Sequence, residues 1–236
     1  MTPSDIAHLD VDGRSIAYRL RRGNVPTLVF LPGYGSDMEG AKAVALDVFA
    51  GRRGLGMLRL DYSGTGSSGG RFEQGTLERW RDEALAAIDK LTQGPLIVVG
   101  SSMGGWIALH LALHRPERVK ALVGIAAAPD FTNWGFADGA DAERRGIARD
   151  FWESGQRLLL LESEIAIDCP VRLLHGERDT DVPLETALRT MRALRSGDVQ
   201  LNVLKGGGHR LSEPLEIDAI LRTVANLIEH PLEPAP

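Results

Sequence analysis

The chain has 236 residues, 43% of them hydrophobic and 25% charged, with a formal net charge of −5 at neutral pH. That balance describes a globular chain with a substantial core and excludes nucleic acid or an anionic membrane as the expected partner. No apolar run approaches the roughly 20 residues that a membrane-spanning helix needs, and the single cysteine, Cys169, excludes internal disulfides and cysteine-based zinc sites.

The opening residues, "MTPSDIAHLD", lack the basic start and apolar stretch of a signal peptide and carry acids that a transit peptide avoids, so a cytoplasmic location is expected. Two alternating runs around Asp12-Gly13 then predict a β-hairpin. Beyond it, short apolar runs predict strands at 27–31, 56–62, 96–101, 121–127, 171–175 and 199–204. They show little alternation, as expected of parallel strands covered on both faces. Helical patterns fall between and after them, near 38–51, 76–93, 103–114, 184–195 and 213–229. This rhythm predicts an α/β fold of a single domain over residues 1–236: a mostly parallel eight-stranded sheet with an N-terminal antiparallel hairpin and helices on both faces. Ligands in such sheets bind at the carboxyl ends of the strands. Residues 131–169 are too long for a simple crossover and hold Phe131, Trp134, Phe136, Phe151 and Trp152, which predicts an inserted cap over the site. Cys169, just ahead of the next apolar run, is expected to be a buried structural thiol.

Two stretches contain G-x-S-x-G. "GSSMGGW" at 100–106 follows an apolar strand and opens the helix at 103–114, the strand–turn–helix setting of a nucleophile elbow. Glycine two residues before and two after the serine relieves the crowding of such a turn, and Gly100 and Gly104 bracket Ser102 in that way, whereas Ser101 lacks such a bracket. "GSSGG" at 66–70 is flanked by glycine and leads into no apolar helix, so it reads as a structural turn.

A serine hydroxyl needs a base, and the base a carboxylate, following the serine in the order acid, then histidine. His209, in "GGGHR" after the last strand, is the candidate base. His175 is expected to serve its strand through a hydrogen bond, and His230 lies among prolines. "HGERDTDVP" supplies Asp179 as the candidate acid, with Glu177 beside it; Asp181 is expected to cap the helix that follows, and Asp130 is the alternative acid. The oxyanion donors are expected to be the backbone N–H groups of Met103 and, in "LPGYGSD", of Tyr34. Trp106, Phe131, Trp134 and Phe136 are candidates for the substrate pocket. His110 and His114 have a metal-ligand spacing but no glutamate between them, so they read as core or surface histidines, and no metal or cofactor is expected.

With these residues in place, the chain resembles the α/β-hydrolase family from end to end, through "LPGYGSD", "DYSGTGSS", "GSSMGGW", "HGERDTDVP" and "GGGHR" in order. Within it, "RLDYSGTGSSGG", "TLERWRDEALAAIDKL" and "CPVRLLHGERD" are similar to the branch of acyl-protein thioesterases and acyl-glucuronide esterases. The resemblance implies a serine hydrolase of carboxylic esters or thioesters using Ser102, Asp179 and His209, with a small molecule or an acylated protein as substrate. A peptidase, a carbon–carbon bond hydrolase or a non-catalytic binding module on the same fold stay open, as does the oligomeric state.

Overall fold

The computed structural model describes residues 5–229, so His230 and the two ends of the expected 1–236 span lie outside the described residues. The eight strands are β1 (Ala7–Val11), β2 (Arg14–Arg21), β3 (Asn24–Leu31), β4 (Leu55–Leu60), β5 (Leu96–Ser101), β6 (Val119–Ile125), β7 (Val171–Gly176) and β8 (Val199–Leu204). They form one sheet in the order β1-β2-β4-β3-β5-β6-β7-β8, with β1 and β2 antiparallel and the remainder parallel to one another. The expected hairpin turns at Asp12 and Gly13, whose φ values of 50° and 76° give the doubly left-handed turn that matches strand twist.

The apolar runs lack alternation because each strand buries both of its faces. In β3, Val29 and Leu31 enter one core while Leu28 and Phe30 enter the other; β5 divides in the same way, Leu96 and Val98 against Ile97 and Val99. Helices α2 (Leu77–Leu91), α3 (Met103–His114) and α7 (Leu184–Ala193) cover the first face, and α1 (Ala41–Arg52) and α8 (Pro214–Glu229) the second. The most apolar helix, α3, buries every residue from Met103 to Ala112, as its lack of a polar stripe requires.

Between β6 and β7 the chain forms three short helices, α4 (Phe131–Trp134), α5 (Gly139–Arg144) and α6 (Arg149–Gln156). Asp130, the alternative acid, ties the start of this segment to its end: its carboxylate accepts the N–H groups of Leu160 at 2.9 Å and Leu161 at 2.7 Å. Burial raises its pKa despite those two bonds. Trp106 and His110, on α3, both donate to the Leu158 carbonyl, at 3.1 and 3.0 Å, and fasten the same end from below. The His110–His114 spacing therefore serves backbone bonds, since His114 donates Nδ1–H to the His110 carbonyl.

Two local expectations differ from the structure. Helix α1 begins at Ala41 rather than near 38, because the Met38 peptide is held on both sides by buried side chains: Asp61 accepts its N–H at 2.7 Å and Arg59 donates to its carbonyl at 2.8 Å. Cys169 is partly exposed rather than buried, with its thiol still pushed up to about 11 by burial.

The turn after β4 absorbs the upstream serine pair. Ser68 donates to the Asp61 carbonyl at 2.7 Å and accepts the Ala17 N–H at 2.7 Å, so its hydroxyl is committed to backbone. The neighbouring Ser63 N–H is held at 2.9 Å by Glu83, which is fully buried and also accepts Arg14 at 2.8 Å. Glu83→Leu strands a buried donor, and urea unfolding is expected to show a loss of about 2 kcal/mol; an unchanged midpoint would refute this account of the turn.

Candidate active site

Ser102 sits where β5 passes directly into α3, with φ 54° and ψ −121°. Side chains other than glycine rarely occupy this region, at a cost of about 1–3 kcal/mol. Surrounding backbone holds the turn there: the Ser102 N–H donates to the Ile125 carbonyl at 2.9 Å, and its own carbonyl accepts from Gly105 at 2.9 Å and Ala128 at 3.1 Å. The glycines on either side are required by contact. A methyl group at Gly100 would lie 2.2 Å from the Gly104 carbonyl oxygen, and one at Gly104 would lie 2.1 Å from that of Leu31.

His209 arrives on the loop between β8 and α8. Its Nε2 is 3.1 Å from Ser102 Oγ, and its Nδ1 is 2.9 Å from Asp179 Oδ2, on the loop after β7. Asp179 is an acceptor only when ionised, so Nδ1 carries the proton and Nε2 is free to accept from the serine hydroxyl. The carboxylate is 1% exposed and His209 22%. Burial would raise the Asp179 pKa, but the hydrogen bond from His209, the Val182 N–H, the charge of His209 and the Asp181 N–H together hold it below the ordinary value. The structure thus brings together the three side chains singled out in the sequence, from three separate loops at the carboxyl ends of β5, β7 and β8.

Both loops are stitched to each other. Arg178 donates its N–H to the Gly207 carbonyl at 2.8 Å, and Glu177 accepts the Gly206 N–H at 2.9 Å. Glu177 is therefore a link between the acid loop and the histidine loop, a role its place in a run of three acids does not reveal. Asp181 does not cap α7; Pro183 holds that position without a side-chain bond, and the Asp181 N–H instead donates to Asp179 Oδ1 at 2.9 Å. His175 is buried and makes its bond to the Val182 carbonyl at 2.9 Å.

The loop after β3 lies against the serine. A methyl group at Gly33 would come within 3.2 Å of Ser102 Cβ, a tight contact that glycine relieves where this loop passes the serine. Met103 is the first residue of α3, where backbone N–H groups have no partner within the helix. The Asp61 and Arg59 grip on Met38 holds this loop from behind.

Around Tyr34 lies a cluster of rings. Its centroid is 4.9 Å from Phe151, 5.0 Å from Phe72, 5.9 Å from Trp80 and 6.4 Å from Phe131. Phe131 continues it to Trp106 at 5.8 Å and to Phe136 at 6.4 Å. Trp106 is fully buried and so lies beneath the cluster, while Phe131 and Phe136 are half-buried. Trp134 turns its indole N–H to the Pro129 carbonyl at 2.8 Å. Phe72 and Phe151 complete the cluster; Phe72 lies in a glycine-rich loop that carried no pocket signal.

A profile of the alpha/beta hydrolase fold matches residues 26–150. The chain belongs to the α/β-hydrolase fold family, and hydrolysis is the class of activity its relatives support. It is 37% identical to the human protein named palmitoyl-protein thioesterase ABHD10, mitochondrial, in a match that spans 91% of this chain and 77% of that one. The solved structure of mouse alpha/beta hydrolase domain-containing protein 10 superposes with a TM-score of 0.89 at 34% identity, covering 96% of this chain and 99% of that one. A solved protein from Agrobacterium vitis S4 gives 0.89 at 36% identity, covering 96% and 100%. The cytoplasmic expectation is corrected here: the relatives that match over 91% of the chain are named as mitochondrial. That expectation leaned on the composition of the first few residues, and a short terminal segment says little about location.

An acid whose pKa in the folded protein lies below its unfolded value adds stability at pH above the unfolded value and loses it as pH falls through the folded one. Acidification from about pH 6 to about pH 3 is therefore expected to lower the melting temperature of the parent protein more steeply than that of Asp179→Asn. Parallel melting curves for the two proteins would contradict the depressed Asp179 carboxyl.

Proposed function

We propose that this chain is a serine hydrolase of carboxylic esters or acyl thioesters, with Ser102 as nucleophile, His209 as general base and acid, and Asp179 as the group that orients His209. The observation that carries the reading is the continuous relay from Ser102 Oγ through both His209 nitrogens to Asp179, at 3.1 and 2.9 Å, on a strained turn. A structural serine needs neither the strain nor an aligned base.

In this mechanism Ser102 Oγ attacks the acyl carbon while its proton passes to His209 Nε2. Negative charge moves to the carbonyl oxygen, where the N–H groups of Met103 and Tyr34 stabilise it. Collapse of the tetrahedral species breaks the bond to the alcohol or thiol, which leaves with the proton from His209. A water then gives its proton to His209, attacks the acyl-serine, and releases the acid as the proton returns to Ser102. Asp179 stays ionised throughout and stabilises the imidazolium. Removal of the hydroxyl by Ser102→Ala is expected to lower kcat by about 10⁴-fold or more and to abolish covalent labelling by a fluorophosphonate. Turnover that survives in this variant would exclude the assignment.

Residues 131–169 act in this reading as the cap, and the half-buried rings of Phe131 and Phe136 line the acyl side of the site. The substrate is a small ester or thioester, or an acyl group on a protein; the thioesterase name of the relatives favours the thioester. A matched series of p-nitrophenyl esters and acyl thioesters of increasing chain length tests this directly. Phe131→Ala is expected to raise kcat/KM for long chains relative to short ones by about tenfold, and an unchanged ratio would remove Phe131 from the pocket.

A further inference from the structure

One buried titratable side chain touches the relay without belonging to it. His175, near the end of β7, is 1% exposed. Its Nε2 lies 2.9 Å from the Val182 carbonyl oxygen and 3.5 Å from Asp179 Oδ2. A carbonyl oxygen only accepts, so the proton of this nitrogen points into the acid loop. Its other nitrogen, Nδ1, is buried without a hydrogen-bond partner among the described residues. A side chain kept only to fill the core at this point would be apolar, since a polar ring with one orphaned nitrogen is costly to bury.

What the ring holds is the part of the loop that holds the acid. Val182 gives its N–H to Asp179 Oδ1 at 2.9 Å, and Asp181 gives its own to the same oxygen at 2.9 Å. With Oδ1 occupied by two backbone donors, the carboxylate can turn only Oδ2 towards His209. The Val182 residue is pinned at its carbonyl by His175 and grips Asp179 through its N–H. The Asp179 N–H returns to the Gly176 carbonyl at 3.2 Å, which closes the turn onto β7.

We propose that His175 is a positioning residue for the reaction: its Nε2–H fixes the 179–182 turn through the Val182 carbonyl, so that Asp179 presents Oδ2 to His209. This inference rests on the reading of Ser102, His209 and Asp179 as the catalytic relay. It assigns His175 no contact with substrate. Loss of the donor lets the turn rotate, His209 loses a fixed acceptor, and transfer of the Ser102 proton slows, while substrate binding, which lies on the Tyr34 and Phe131 side, is unaffected.

The test compares His175→Leu, which removes the donor, with His175→Gln, whose side-chain amide can present an N–H to the same carbonyl. With p-nitrophenyl butyrate, His175→Leu is expected to lower kcat by about 10- to 100-fold with KM unchanged, and His175→Gln to recover most of it. The low-field proton resonance of His209 Nδ1–H, which reads its bond to Asp179 without requiring turnover, should move in the Leu variant and return in the Gln variant. If His175→Leu does not fold, His175→Asn, too short to reach Val182, takes its place. Parental kcat with an unmoved resonance in the Leu or Asn variant would overturn the proposal, as would an equal loss in the Gln variant. Ser102→Ala run in parallel separates the two readings: turnover in that variant would defeat the relay itself, whereas an inactive Ser102→Ala beside a fully active His175→Leu would defeat only the role of His175.

Discussion

The architecture around the site depends on how closely four stretches of backbone meet at the β5–α3 turn. Gly100 faces Gly104, Gly104 faces the carbonyls of Leu31 and Pro32, and Gly105 faces Ala127, each with less room than a methyl group needs, while Gly33 lies in tight contact with Ser102. Interiors packed to this density do not deform gradually, so the strained angles of Ser102 are set by its surroundings rather than by its own preference. Ala126 and Asp130 beyond β6, and Leu211 beyond His209, also carry positive φ. Non-glycine strain in this chain therefore gathers mostly in the loops at the carboxyl ends of the strands, where the sheet can hold it.

From that turn the remaining parts of the site follow as attachments of loops to one another. The serine is fixed by backbone, the acid by three N–H donors, one of them on His209, and the histidine by bonds from its own loop to the acid loop. Buried charge does similar work further out. Asp61 and Arg59 grip one peptide of the loop that bears Tyr34, and Asp130 ties the two ends of the helical segment after β6. Each of these carboxylates is surrounded by donors, which is the condition under which a buried charge is tolerated.

The sheet and its two cores were legible because parallel strands buried on both faces leave an apolar run with little alternation, and because "LIVVGS" and "MGGWIALHLALH" have no polar face to expose. Ser102 was legible through its bracketing glycines, and His209 and Asp179 through their place after late strands. Helix α1 starts late because Asp61 and Arg59, distant in sequence, hold the Met38 peptide against the local helical preference. Asp181 leaves α7 uncapped within a tight turn in which its N–H bonds the nearby Asp179 carboxylate. The ring cluster was only half visible because Phe131 and Phe136 stand out in the insertion, but Phe72 joins them only through the path of the loop after β4.

The sequence by itself determined the class of fold and the order of its main strands and helices, and it singled out Ser102, Asp179 and His209 as candidates, since periodicity and turn chemistry are local properties. Tertiary structure decided which acid faces the histidine, which serine of the four has a base, and which residues brace them. Those are matters of distance between loops separated by 30 to 107 residues, and they exist only once both faces of the sheet are buried.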